Sequence, residues 1–360
     1  MPFFVPDNYS PEAIALAEGF QELGIYTFSN INYWFNPEEN KFLLAQSDEE
    51  YEVGIYDYKY LYHSMPWTLN RIDKDKINIL LDRNDWLIPK WRNNSVLNSF
   101  DFIFIDHMLK GFEYPKHVLP WSIGLTNRII KSIDKSLPEK IPSNTILCNF
   151  RVGHNLRKLL TSELNTRLSS YYRIDNNISS FINNDYSPEE YQVHKSYWEQ
   201  SARRHNPKFY EDLNNHLLTY AYGGYYEFRP QFYQPYSLME KALRKLSYLS
   251  FNFRKKYNLD FANQIFVFQY DSFRFWEALY SATCPIHLDF ESWGFILPVN
   301  PIEGIHYLGV KRLSFEEFEK RVAKFSKAEI SQIGIEGRKW VYEHYSPKAT
   351  AQRLLNIINK

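Results

Sequence analysis

The chain has 360 residues, with Lys plus Arg and Asp plus Glu both at 42 and a formal net charge of zero. That balance argues against non-specific nucleic-acid binding or a strongly anionic membrane as the main partner. No apolar run approaches the ~20 residues of a membrane helix, and the start MPFFVPDNYSPE has neither the basic nor the long apolar region of a signal peptide. The expectation is a cytoplasmic protein without a transmembrane segment, large enough for two cores. Aromatic residues make up 18% of the chain, which points to thick aromatic cores before stacking sites. The two cysteines, Cys148 and Cys284, lie inside apolar runs and read as buried free thiols. No zinc-type spacing occurs, so no metal or cofactor is expected.

Phe3 to Val5 reads as a first strand. Ser10-Pro11-Glu12 starts a helix that Gly24 closes, and Ile25 to Ser29 is a second strand. The loop between them lacks the glycine pattern of a dinucleotide site. Val53 to Tyr56, Ile77 to Leu81, Phe102 to Ile105 and Val118 to Ile123 follow as strands. The first three end in polar residues: Asp57, Asp82-Arg83-Asn84-Asp85 and Asp106-His107. Tyr58 to Leu69 and Trp86 to Leu97 are helical or mixed. Continuous apolar strands alternating with helices predict a parallel sheet covered on both faces. Asp73-Lys74-Asp75 matches a metal-site triplet but precedes a strand, so it is set aside.

Thr126 to Ile133 is a helix, and the polar stretch from Lys135 to Asn144 with two prolines reads as a linker. The alternation then restarts with a strand from Thr145 to Phe150 and a helix from Leu156. Arg151 sits immediately after that strand, a binding position in α/β sheets. Arg157 on the helix reads as an ordinary solvated charge. The segment from Ser169 to Glu199 carries no ordered pattern that we can assign. Pro207 to Leu218 is a helix leading to Gly223-Gly224, where bare backbone can approach a phosphate. Arg203-Arg204-His205-Asn206-Pro207 is a basic cluster before the glycine pair, a solvated face or a loop facing the phosphate. Tyr225 to Tyr236 reads as irregular, and Leu238 to Tyr257 as mostly helical. Ile265 to Phe268 reads as a buried strand, Phe273 to Ala282 as a helix and Cys284 to Asp289 as a return strand of a parallel unit. Gln269, Asp271, Ser272, Arg274 and Glu277 gather at its loop and predict a site for a phosphorylated ligand. Three helices close the chain: Ser314 to Phe325, Lys327 to His344 and Ser346 to Ile358.

The segment DSFRFWEALYSATCPIHLDFE resembles the signature of exostosin-type and related GT-B glycosyltransferases. The segment FRVGHNLRKLL and the tail GRKWVYEHYSPKATAQRLL are similar to the donor-domain start and the closing helices of such enzymes. The resemblance implies an α/β chain with two Rossmann-like domains facing a cleft. Residues 1–140 would bind the acceptor and 141–345 a nucleotide-sugar donor, while 346–360 would cross back to the first domain. By position, Glu277 would hold the donor ribose, and Arg274 and Arg151 would stand near the diphosphate. Gln269 stands where many such enzymes carry a second acid, which leaves retention or inversion of configuration open. His107 or Asp106 would serve as base toward an acceptor hydroxyl, in a glycan, lipid or other molecule. The alternatives are a nucleotide-sugar epimerase on the same fold, or a non-catalytic nucleotide-sugar or glycan-binding protein.

Overall fold

The computed structural model describes residues 1–64, 69, 72–83, 98–137, 143–149, 154–176, 187–228, 265–312 and 314–359. Arg151 and the segments expected to be helical over 86–97 and 238–257 lie outside the described residues, as does the middle of the expected linker.

Two parallel sheets form the frame. The first contains β1 (Pro2–Phe4), β2 (Phe28–Ser29), β3 (Val53–Asp57), β4 (Ile77–Asp82), β5 (Phe102–Ile105) and β6 (Val118–Pro120), in the order β2-β1-β3-β4-β5-β6. The second contains β7 (Ser143–Leu147), β8 (Arg173–Asp175), β9 (His216–Tyr220), β10 (Cys284–Leu288) and β11 (Leu308–Val310), in the order β8-β7-β9-β10-β11. Every pairing within both sheets is parallel. Such strands are buried on both faces, which is why they read as unbroken apolar runs. In each sheet the chain reverses its direction of travel after the second strand. The resulting switch points, between β1 and β3 and between β7 and β9, are where ligands bind in open α/β sheets.

Helices cover these sheets. They include α1 (Pro11–Glu22), α2 (Asn127–Ser136), α3 (Asn155–Leu168), α4 (Pro188–Gln200), α5 (Pro207–Asn215), α6 (Phe273–Tyr280), α7 (Lys327–Tyr345) and α8 (Pro347–Ile358). Ser10 stands at the N-cap of α1, but its hydroxyl donates to Asp57 Oδ2 at 2.6 Å rather than capping the helix. The segment left unassigned from the sequence contains β8 and α4. Its start signal is a capping box, in which Ser187 and Glu190 satisfy each other's backbone N–H groups. No described helix is long and apolar enough to cross a membrane.

One strand belongs elsewhere than expected. Ile265–Phe268 pairs antiparallel with Tyr225–Phe228 and takes no part in the parallel sheet. A four-residue apolar run carries a strand propensity but no information about its partner. The parallel strand-helix-strand unit expected over 265–289 is therefore replaced by a hairpin, α6 and β10. The expectation for Tyr225 onward is corrected by the same pairing, since its first four residues form a strand.

Several contacts join the two sheet layers. Helix α8 packs on α1, where a Cβ at Gly19 would lie 2.0 Å from the Pro347 carbonyl oxygen. Phe295–Ile296 pairs antiparallel with Met108–Leu109. The Tyr270 hydroxyl lies 2.9 Å from both Met108 O and Ile296 O.

Candidate active site between the two sheets

The loop from Gln269 to Ser272 runs between the carboxyl ends of the two sheets. Gln269 holds φ of 52°, a left-handed conformation uncommon outside glycine. Asp271 turns toward the first sheet: Oδ2 accepts from Ile123 N at 2.9 Å, and Oδ1 accepts from the Trp276 indole N–H. Burial pushes the Asp271 carboxyl up to about 7, against the opposing effects of His107, Ile123 N–H and Trp276. Ser272 turns the other way and donates to Ala221 O, just beyond β9, at 2.9 Å. His287 Nε2 lies 2.9 Å from Tyr270 O, which ties the same loop to β10.

At the β7/β9 switch point, glycine is required. A Cβ on Gly223 would lie 2.8 Å from Gln269 O, 3.2 Å from Ser272 Cβ and 3.7 Å from Arg157 Nη2. Gly224 holds φ of 89°. The first turn of α3 is pinned to this segment. Asn155 Nδ2 donates to Tyr226 O at 3.1 Å, Asn155 Oδ1 accepts from Tyr226 N at 3.2 Å, and Thr161 Oγ1 lies 2.9 Å from the Tyr222 hydroxyl. The N-termini of α3 and α6, the glycine pair and the Arg157 guanidinium therefore converge. Helix N-termini, exposed main-chain N–H groups and a guanidinium are the usual elements of a phosphate site. Arg157 had read as a solvated charge. Its place in the first turn after a strand was the available signal, and that signal was weighed for Arg151 alone.

Glu277, Arg274 and Arg204 form a separate, closed cluster. Glu277 is 2% exposed, and its Oε1 lies 2.7 Å from His205 Nδ1 and accepts from the Tyr210 hydroxyl at 3.2 Å. His205 Nε2 lies 2.7 Å from the Tyr9 hydroxyl. Arg274 stacks its guanidinium 3.6 Å above the Phe209 ring centre, and burial lowers its pKa. Arg204 lies 5.7 Å over the Phe273 ring. Ala202, Arg203 and His205 hold φ values of 52°, 61° and 58°, so strained backbone aims His205 inward. Glu277 and Arg274 thus make their contacts with His205, Tyr210 and Phe209. His205 belongs to the basic cluster read from the sequence, whereas Tyr9 and Tyr210 carried no sequence pattern that singled them out.

Across the loop, the carboxyl edge of the first sheet gathers buried charge. Asp57 Oδ2 lies 3.0 Å from Arg83 Nε, and Arg83 Nη2 donates to Asn8 Oδ1 at 3.0 Å. Asp106 is hydrogen-bonded to Glu12. Burial, with Glu12 and Asp271 nearby, holds the Asp106 carboxyl well above the usual carboxylate range, and burial raises Glu12 as well. Both directions favour the protonated form of the pair. His107 is half-buried, and its ring stands edge-on to Tyr270 at 5.3 Å. Among the described residues, no group of three or more His, Cys, Asp or Glu is arranged to hold a metal ion. Asp73 Oδ1 accepts from Asp75 N at 3.0 Å and closes a turn before β4.

Comparison with protein-family models and with curated proteins finds no match.

Proposed function

We propose that the protein is a glycosyltransferase that moves a sugar from a nucleoside-diphosphate donor to a hydroxyl acceptor. The observation that carries this reading is the Arg157 guanidinium beside Gly223, between two helix N-termini at the β7/β9 switch point. A diphosphate there would meet a fixed cation and bare backbone N–H groups. These groups would stabilise the charge that develops as the sugar–phosphate bond breaks. His107, on the far side of the Gln269–Ser272 loop, is the base for the acceptor hydroxyl in this reading, with Asp106 and Asp271 setting the charge around it. The two sheets are then read as the acceptor half and the donor half of a GT-B arrangement, with α8 as the helix that returns to the first half.

The test is titration of the full chain with uridine and guanosine diphosphates, followed by a turnover assay with the corresponding sugar donors. We expect Arg157→Ala to weaken diphosphate binding at least ten-fold, the scale of one lost charge-assisted contact. Arg274→Ala is expected to leave binding within a factor of about three. Unchanged affinity in Arg157→Ala would remove the donor site. Intact binding with no sugar transfer would leave the epimerase and binding-protein alternatives, which incubation with donor alone, watched for epimerisation, separates.

A further inference from the structure

A cavity lies away from the sheet edges, between α1, α2, α4 and the hairpin of Tyr33–Asn36 and Lys41–Leu44. Its volume is about 200 Å³, below the roughly 300–1,000 Å³ of drug-sized pockets, so its occupant is small. Trp34 forms one wall, 8% exposed and held at φ of 56°. A bulky residue seldom adopts that conformation unless its surroundings impose it. Tyr197 stands beside it at 6.0 Å, with its hydroxyl donating to Asn36 Oδ1 at 3.0 Å. On the opposite side, Glu18 Oε2 accepts from Asn127 N at 2.6 Å.

The charges decide the ligand class. Lys41, Arg128 and Lys131 line the cavity together with the exposed carboxylates Glu38 and Glu39. Lys41 is already matched by Glu39 at 2.5 Å. Arg128 donates to the main-chain oxygens of Tyr197 and His205 and has no carboxylate at ion-pair distance among the described residues. Burial pushes the Glu18 carboxyl up to about 8, with Glu22 raising it and Asn127 N–H and Lys131 opposing. His194 is held neutral by burial and by the neighbouring Arg128 and Lys135. At neutral pH the cavity therefore presents an unmatched positive charge, a neutral carboxylic acid and an aromatic wall.

We propose that this cavity binds a small polyhydroxylated monocarboxylate, with its carboxylate toward Lys131 and Glu18 and its carbon face against Trp34. A carboxylate receives a hydrogen bond from the un-ionised Glu18 and the charge of Lys131. Its hydroxyls meet the amide and hydroxyl groups of Gln21 and Ser132, which also line the wall. The site stands independently of the reaction at the sheet edges.

Titration calorimetry on the full chain at pH 6.5 tests this with gluconate, glucose, acetate and inorganic phosphate. Gluconate is expected to bind at least ten-fold more tightly than the other three. It should weaken at pH 9, where Glu18 is ionised, and Glu18→Gln should retain that binding at pH 9. Lys131 is exposed, so Lys131→Ala is expected to fold and to lose gluconate binding at least ten-fold. Arg157→Ala is expected to bind gluconate normally, which separates this site from the donor site. Absence of gluconate binding, equal binding of glucose or phosphate, or unchanged binding in Lys131→Ala would overturn the proposal.

Discussion

His205 Nδ1 lies 2.7 Å from Glu277 Oε1, while the other ring nitrogen lies 2.7 Å from the Tyr9 hydroxyl. A carboxylate only accepts, so Nδ1 carries the proton and Nε2 accepts from Tyr9. This chain of bonds links the first sheet's leading loop, the turn before α5, and α6. Removing His205 leaves the buried Glu277 carboxylate without this partner, so His205→Ala is expected to lose about 3–5 kcal/mol of unfolding free energy. Burial favours the neutral His205 ring, so Glu277→Ala leaves only an unpaired ring N–H and is expected to lose about 1–3 kcal/mol. Tyr9→Phe should lose only about 1 kcal/mol. Urea denaturation of the three variants checks the ranking.

Two buried histidines should each cost the fold stability in acid, well above the usual carboxylate range. Burial holds His287 down to about 4, and it also lowers His205 despite the bond to Glu277. Below pH about 6.5 the unfolded chain binds protons at these two rings that the native state refuses. Their contribution to stability is complete above that value and is lost as pH falls toward 4. The raised carboxyls of Asp271 and Glu18 act with the opposite sign over the same range, so the ring contribution is read as a difference: the gap in melting temperature between wild type and His287→Gln should narrow as pH falls from 7 to 4. A constant gap would mean that the His287 ring does not refuse the proton in the native state.

Much of the frame was legible in the sequence. Five of the six first-sheet strands follow apolar runs such as Val53 to Tyr56 and Phe102 to Ile105, because parallel strands buried on both faces cannot alternate. β2 is only the last two residues of the run from Ile25 to Ser29. The partner of Ile265–Phe268 was not legible, since pairing depends on a strand far away in sequence. The candidate site was half legible. Asp271, Ser272 and the glycine pair meet as a loop at a sheet edge should. The burial of Glu277 against His205 and the approach of Arg157 to Gly223 were not legible, because a charge on a helix reads alike whether it faces solvent, backbone or a buried histidine.

Asp271 satisfies two buried donors at once, Ile123 N–H and the Trp276 indole. Each donor left unpaired in the interior costs about 1–3 kcal/mol, so Asp271→Ala is expected to lose about 2–6 kcal/mol. The deficit depends on pH. The native carboxyl is raised to about 7 from the ordinary 3.8, so its contribution is complete below the unfolded value and is lost as pH rises through 7. The stability gap between wild type and variant should be widest near pH 4 and narrower at pH 8. Denaturation curves at the two pH values measure it.

Gly223→Ala probes the proposed donor site without removing a charge. The added methyl would lie 2.8 Å from Gln269 O and must move main chain that has no free rotamer. The Gln269–Ser272 loop would shift away from α3 and take the α6 N-terminus with it. Nucleoside-diphosphate affinity is expected to fall at least ten-fold while the melting temperature changes by only a few degrees. An equal loss of both would point to a packing role for this glycine.

Gly19→Ala addresses the contact between the chain's ends. On α1, alanine is the better helix former by about 1 kcal/mol, so local propensity alone would stabilise the variant. Its Cβ, however, would stand 2.0 Å from Pro347 O and 2.8 Å from Ala351 Cβ, the first turns of α8. Neither neighbour can yield by rotating a side chain, so α8 must withdraw from α1. Overpacking of this kind costs about 1–3 kcal/mol or more, and withdrawal also uncovers Leu354, which is buried in the same core as Phe20. The net expectation is a lower melting temperature and faster amide hydrogen exchange in α8, with protection of α7 retained. A melting temperature at or above wild type would show that α8 docks through contacts other than this one.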